Sequence, residues 1–139
     1  MNMKKRIALI TGATSGIGEA CARRFAMGGY NIIVTGRNRK RLDEMKKELE
    51  AEGADVLTLC FDVRDRAQTK EAVESLGEEW QAVDVLINNA GLARGLEPEY
   101  DGDFTDWDEM IDTNIKGLLN MTRLIVPGMV ERDHGHVIN

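Results

Sequence analysis

Residues 11–18 read TGATSGIG, and they follow the apolar run RIALIT at 6–11. The run predicts a buried strand. The residues after it, GIGEACARRFAMGG at 16–29, carry Ile17, Cys21 and Phe25 at helical spacing and stop at a Gly-Gly pair, which predicts a helix. A glycine-rich turn between strand and helix has a specific physical use. Gly12 suits a tight turn out of the strand, Gly16 lets backbone approach a pyrophosphate, and Gly18 lets the helix pack closely on the strand. The unpaired N–H groups at the helix N-terminus then face the phosphates. Glycine patterns are common after strands; the strand–turn–helix context makes this one a dinucleotide-binding candidate.

Outward from that turn, apolar runs and helical stretches alternate. NIIVTG (31–36) is a second strand and NRKRLDEMKKELEAEG (38–53) an amphipathic helix with Leu42, Met45 and Leu49 inward. DVLTLCFD (55–62) is a third strand, RAQTKEAVESLGEEW (66–80) a third helix, and AVDVLINNAG (82–91) holds a fourth strand. Residues 105–132 form one long helical pattern, with Thr105 as the candidate N-cap and Pro127 as a kink or break. GHVIN (135–139) starts a fifth buried strand. Continuous Val/Ile/Leu runs, without alternation, imply strands covered on both faces and hence a parallel sheet. The expectation is a Rossmann-like doubly wound α/β fold with strand order 3-2-1-4-5, over one domain spanning 1–139. The irregular segment 92–104 is expected to be a loop at the ligand-bearing carboxyl edge. The acids in 97–108 read as a solvated loop or as the border of a substrate pocket.

Composition narrows the classes. The chain has 139 residues, 42% hydrophobic and 30% charged, with 14 Gly and 2 Pro, the balance of a globular α/β domain. A net charge of −6 argues against nucleic acid and anionic membrane as partners. The apolar run at Ile7–Ile10, behind MNMKKR, is too short for a signal peptide, and no run is long enough to span a bilayer. Cys21 and Cys60 are expected to be free, mostly buried thiols in a reducing, cytoplasmic setting. His134 and His136 lack the grouping of a metal site. Trp80, Trp107 and the seven Met are expected in the core or between helices.

The end of the second strand is informative. An acid there would hold the ribose 2′-OH of NAD. The chain has Gly36-Arg37 instead, with Arg39 nearby, which makes room for a 2′-phosphate and supplies a fork of donors to it. NADP is therefore the expected cofactor. The same RNRKR run also reads as a solvated helix start, although basic residues at that end oppose the helix dipole.

TGATSGIG, NNAG (88–91) and Asn114 within DTNIKG together resemble the short-chain dehydrogenase/reductase family, in its TGxxxGxG group, along the chain from Lys5 to Asn139. The C-terminal thirty residues are similar to the NADP-dependent subgroup acting on serine, allo-threonine and related 3-hydroxy acids. The resemblance implies roles by position. Gly12, Ser15, Gly16, Ile17 and Gly18 would contact phosphates and adenosine ribose, and Arg37 would hold the 2′-phosphate. Asp62 and Val63 would flank the adenine, the carboxylate taking the exocyclic amine. Asn88, Ala90 and Gly91 would stiffen the central strand beside the cofactor, and Asn114 would hold a water in a proton relay. The family's acid/base Tyr, the Lys that lowers its pKa and the substrate-orienting Ser have no counterpart here: neither Tyr30 nor Tyr100 has a Lys four residues on. The chain is therefore expected to be the N-terminal part of a longer oxidoreductase, a homotetramer or homodimer in its complete form. It would act on a small hydroxy or oxo substrate. The alternative is a non-catalytic NADP-binding or interaction module.

Overall fold

A computed structural model describes residues 3–139. Strands β1 (Ile7–Ile10), β2 (Asn31–Gly36), β3 (Val56–Cys60), β4 (Val85–Ile87) and β5 (His136–Ile138) form one parallel sheet in the order β3-β2-β1-β4-β5. This is the expected doubly wound order, with β1 at the centre. Helices α1 (Gly16–Met27) and α2 (Arg39–Ala51) pack on one face. Helices α3 (Arg66–Glu74) and α6 (Leu118–Glu131) pack on the other, with the short α4 (Glu78–Gln81) and α5 (Phe104–Ile111) between them in sequence.

The strands are continuously apolar because alternate side chains serve two cores. Ala8, Ile10, Ile32 and Val34 point toward α1 and α2, where they meet Leu42, Met45 and Leu49. Ile7, Leu9, Ile33 and Leu86 point toward α6, where they meet Met121, Ile125 and Met129. All four residues of β1 are buried. Period-2 side-chain geometry with both faces covered leaves no polar position in such a strand.

Several expectations change in detail. The long helical pattern divides at a π-helical turn, Asp112–Gly117, and α6 starts only at Leu118. The N-cap is Asp103, whose carboxylate accepts from the Thr105 N–H at 2.7 Å, and not Thr105. Pro127 does not end α6, which runs on to Glu131. Burial of Met121, Ile125 and Met129 on either side outweighs a proline cost of about 3 kcal/mol. The third helix stops at Glu74 because Leu76 turns into the core, and Gly77 then caps α4. Ile17 is 76% exposed and not on the inward face; Gly18 and Ala22 hold the buried positions of α1. β5 is an edge strand, and Ile138 is 40% exposed. Both cysteines are free and half-buried, less covered than expected. Trp80 packs partly against the α6-side core, and Trp107 stacks edge-on with Phe104. Met3 and Met27 are exposed and contribute nothing to the core, and Met1 lies outside the described residues.

Candidate functional site

The carboxyl ends of β1, β2, β3 and β4 open into a cavity of about 350 Å³. One wall is the turn between β1 and α1. Gly12 and Gly16 have φ of +60° and +57°, a region that L side chains avoid. A Cβ on Gly12 would lie 2.8 Å from the Ala90 Cα, so the turn also needs the missing side chain to lie against β4. A Cβ on Gly16 would meet nothing, so its requirement is backbone conformation alone. A Cβ on Gly18 would run into the Gly12 carbonyl and the Asn89 side chain. Gly18 thus sets how closely α1 seats on the turn. The turn leads straight into the twelve-residue α1. Ser15 is its N-cap but makes no capping bond with its hydroxyl, which leaves that hydroxyl and the first N–H groups of the helix available to an anion.

The turn is held by two residues that the sequence reading did not single out. Asn89 donates through Nδ2 to the carbonyls of Thr11 (3.1 Å) and Gly12 (3.0 Å). Thr11 Oγ1 accepts from the N–H groups of Asn89 (3.0 Å) and Ala90 (2.9 Å). This reciprocal pairing welds the end of β4 to the start of the turn. Strand parity was the available signal: Asn88 and Asn89 must face opposite sides of β4. Asn88 faces away from the cavity, where its Nδ2 donates to Thr122 Oγ1 (3.1 Å) and Asn139 Oδ1 (2.9 Å). It braces β4 against α6 and the end of β5, and it does not line the cavity. Ala90 and Gly91 do line it.

The second wall lies at the ends of β2 and β3. A Cβ on Gly36 would lie 2.7 Å from Thr14 Cγ2, so glycine lets the end of β2 lie close to the turn between β1 and α1, while Arg37 beside it borders the opening. Arg37 is exposed, and among the described residues it forms no ion pair, unlike Arg23, Arg41 and Arg64. Phe61, Asp62 and Val63 continue this wall. The Asp62 carboxylate is taken up by Arg64, which contributes side-chain and backbone hydrogen bonds. Those side-chain bonds, foremost, hold the Asp62 carboxyl below its usual pKa against the opposing effect of burial. Ile17 sits across the opening, which accounts for its exposure.

On the third side Asn114, exposed within the π-helical turn, does not itself line the cavity but holds Leu92, which does. Its Oδ1 accepts from the Leu92 N–H and its Nδ2 donates to the Leu92 carbonyl, both at 2.8 Å. An asparagine amide offers two donors and two acceptor lone pairs, so one of each remains for a water or ligand. Gly91 leaves room for it: a Cβ there would lie 3.1 Å from Asn114 Oδ1. The neighbouring Thr113 lines the cavity, is 7% exposed, and has no partner for its Oγ1. A π-helical turn is a local sign of a functional position. Among the described residues no group of His, Cys, Asp and Glu could hold a metal.

The arrangement fits a phosphorylated dinucleotide in its own geometry. It offers a backbone cradle that side chains would fill, an uncapped helix N-terminus, and a guanidinium without a carboxylate partner. The profile of the short chain dehydrogenase family matches residues 6–139. The NADP-dependent 3-hydroxy acid dehydrogenase YdfG of Salmonella typhi is 54% identical over 133 residues, covering 96% of this chain and 52% of that protein. Sulfoacetaldehyde reductase 2 of Chromohalobacter salexigens is 47% identical, covering 93% and 51%. The closed form of a serine dehydrogenase complexed with NADP+ superposes with a TM-score of 0.91 at 52% identity, covering 96% of this chain and 52% of that one. The chain spans about half the length of the curated relatives it matches.

Proposed function

The chain belongs to the short chain dehydrogenase family, and on that premise we propose that residues 1–139 form the NADP-binding Rossmann domain of an oxidoreductase. Its reaction moves a hydride between NADP(H) and a small alcohol or carbonyl substrate, a 3-hydroxy acid such as serine or allo-threonine. The observation that carries the cofactor assignment is Arg37: an exposed guanidinium without an ion-pair partner among the described residues, beside Gly36, at the rim of the cavity. The substrate class rests on the 54% identity to a 3-hydroxy acid dehydrogenase.

NADP, when bound, supplies or accepts the hydride. The chain's own residues do the rest of what is assigned here. Gly12 and Gly18 keep the turn open for a pyrophosphate, and Gly16 gives the turn its shape. Ser15 and the α1 N-terminus meet the phosphate charge, and Ile17 covers the ribose. Arg37 binds the 2′-phosphate. Asp62 and Val63 border the adenine, Ala90 and Gly91 let the cofactor lie against β4, and Asn88 keeps β4 rigid from behind. Asn114, with one donor and one acceptor left over, holds a water for proton transfer.

We place the enzyme in the cytoplasm, a setting supported by two free thiols, and propose a homotetramer or homodimer. Exposed Ile111, Ile115, Leu119 and Val130 on α5, the π-helical turn and α6 support self-association. The acidic charge argues against nucleic acid, and among the described residues no helix is long and apolar enough to cross a membrane.

The test is a titration with NADPH and NADH, for the wild type and Arg37→Ala. NADPH is expected to bind more tightly, and the variant to lose about 1.5–3 kcal/mol of NADPH affinity with NADH unchanged. Equal affinities in the wild type would remove the assignment.

A further inference from the structure

Of the wall residues Phe61, Asp62 and Val63, only Val63 is hydrogen-bonded to α6 among the described residues. Its carbonyl accepts from Asn120 Nδ2 at 2.8 Å. The neighbouring backbone ties run elsewhere: the Phe61 N–H donates to the Gly36 carbonyl and the Asp65 N–H to the Asp62 carbonyl, both at 3.0 Å. The Val63 side chain is held by the same helix face. A Cβ on Gly117 would lie 2.7 Å from Val63 Cγ2 and 3.2 Å from Val63 Cβ. Gly117 has an ordinary helical φ of −59°, so glycine serves there to make space and not to free the backbone. Gly117 and Asn120 are three residues apart and share one side of the helix. Neither lines the cavity, whereas Val63 is buried and does line it. The two form a seat behind Val63, one gripping its carbonyl and the other receiving its side chain.

We infer that Asn120 is a positioning residue for cofactor recognition: by holding the Val63 carbonyl against the seat that Gly117 leaves open, it fixes how far the apolar wall stands from the base, and so how strictly the cavity rejects a base enlarged by a further ring. The inference rests on the NADP reading above. A wall discriminates by size only if it cannot retreat, and the segment leaving β3 has no other hydrogen bond to α6 to keep it in place. Removing the Asn120 amide leaves the Val63 carbonyl without its donor. That carbonyl then turns toward water, and the wall moves with it. A methyl group at Gly117 acts in the opposite sense. It presses on a short, stiff β-branched side chain from behind and drives it toward the cavity.

The test compares the affinities of NADP+ and its 1,N6-etheno derivative for the full chain by isothermal titration calorimetry. The two ligands differ only in the ring fused to the purine, so a general loss of structure moves both affinities together and leaves their ratio alone. The wild type is expected to prefer NADP+ by about tenfold or more, the scale on which an apolar pocket rejects an added carbon or two. Asn120→Ala should bring that preference down to about twofold, mostly by weakening NADP+. Gly117→Ala should widen it by about threefold or more. Alanine favours a helix over glycine, so Gly117→Ala carries the comparison if Asn120→Ala does not fold. A wild-type preference within about twofold overturns the inference, and so does an unchanged ratio in folded Asn120→Ala, or a ratio in Gly117→Ala that does not widen. Failure of the wild type to bind NADP+ at all would instead remove the NADP reading beneath it.

Discussion

Two segments border the same cavity and are built in opposite ways. The turn at 11–18 is buried where it leaves β1, with Thr11 2% and Ala13 0% exposed, and it is cross-tied to Asn89 and Ala90 by four hydrogen bonds within 3.1 Å. The loop at 92–103 has no buried residue. Leu96 and Tyr100 stand in solvent, and the loop's anchors are Leu92 on Asn114, the Arg94 pair with Glu109, and the Arg94 N–H on Met110 Sδ. The comparison teaches where binding geometry is paid in advance. A phosphate cradle made of backbone must be rigid before the ligand arrives, since its donors cannot rotate into place. A surface loop stabilised by few contacts sits at the low end of local stability and can vary without unfolding the domain.

The sharpest way to break the comparison is to fill the cradle. Gly18→Val places a side chain against the Gly12 carbonyl and the Asn89 amide, so the turn must move. NADPH affinity is expected to fall by about a hundredfold or more, a cost of at least ~2.7 kcal/mol by titration, while circular dichroism still reports a folded α/β domain. Undiminished binding would mean that the tight seating of α1 is packing alone. Asn89→Ala comes next. It strips the side-chain donors from two carbonyls at the root of the turn. Denaturant unfolding should show a loss of about 1–3 kcal/mol. The smallest effect belongs to the other segment: Tyr100→Ala, at a position 91% exposed, should change stability by less than about 0.5 kcal/mol in the same measurement. A larger change there would show that 92–103 is as tightly held as 11–18.

The sheet was legible because each central strand spends every residue on burial, so Ile7–Ile10 and Ile32–Val34 cannot be read as anything that faces water. The cradle was legible because glycines at positive φ have no substitute. Three features were not. The π-helical turn at Asp112–Gly117 follows no proline and keeps a helical apolar pattern, so the sequence reads straight through it. The split of labour between Asn88 and Asn89 depends on which side of β4 faces the turn, and two adjacent asparagines look alike until the register of β4 against β1 is fixed. The commitment of Asp62 to Arg64 was hidden for a similar reason. Residues two apart in the segment leaving β3 meet only because the backbone turns after Phe61, which the spacing alone does not reveal.

Hydrogen–deuterium exchange with and without NADPH tests most directly whether the cofactor lies across the carboxyl edge from the glycine turn to the end of β3. Slowed exchange is expected at 12–18, 36–38, 61–63 and 89–92, with α3 and the amino ends of the strands unchanged. In Arg37→Ala the slowing at 36–38 should disappear first. Slowing confined to another surface, such as the basic cleft of Lys4, Lys5, Arg6 and Arg132 at the opposite edge of the sheet, or no slowing at 12–18, would contradict the account.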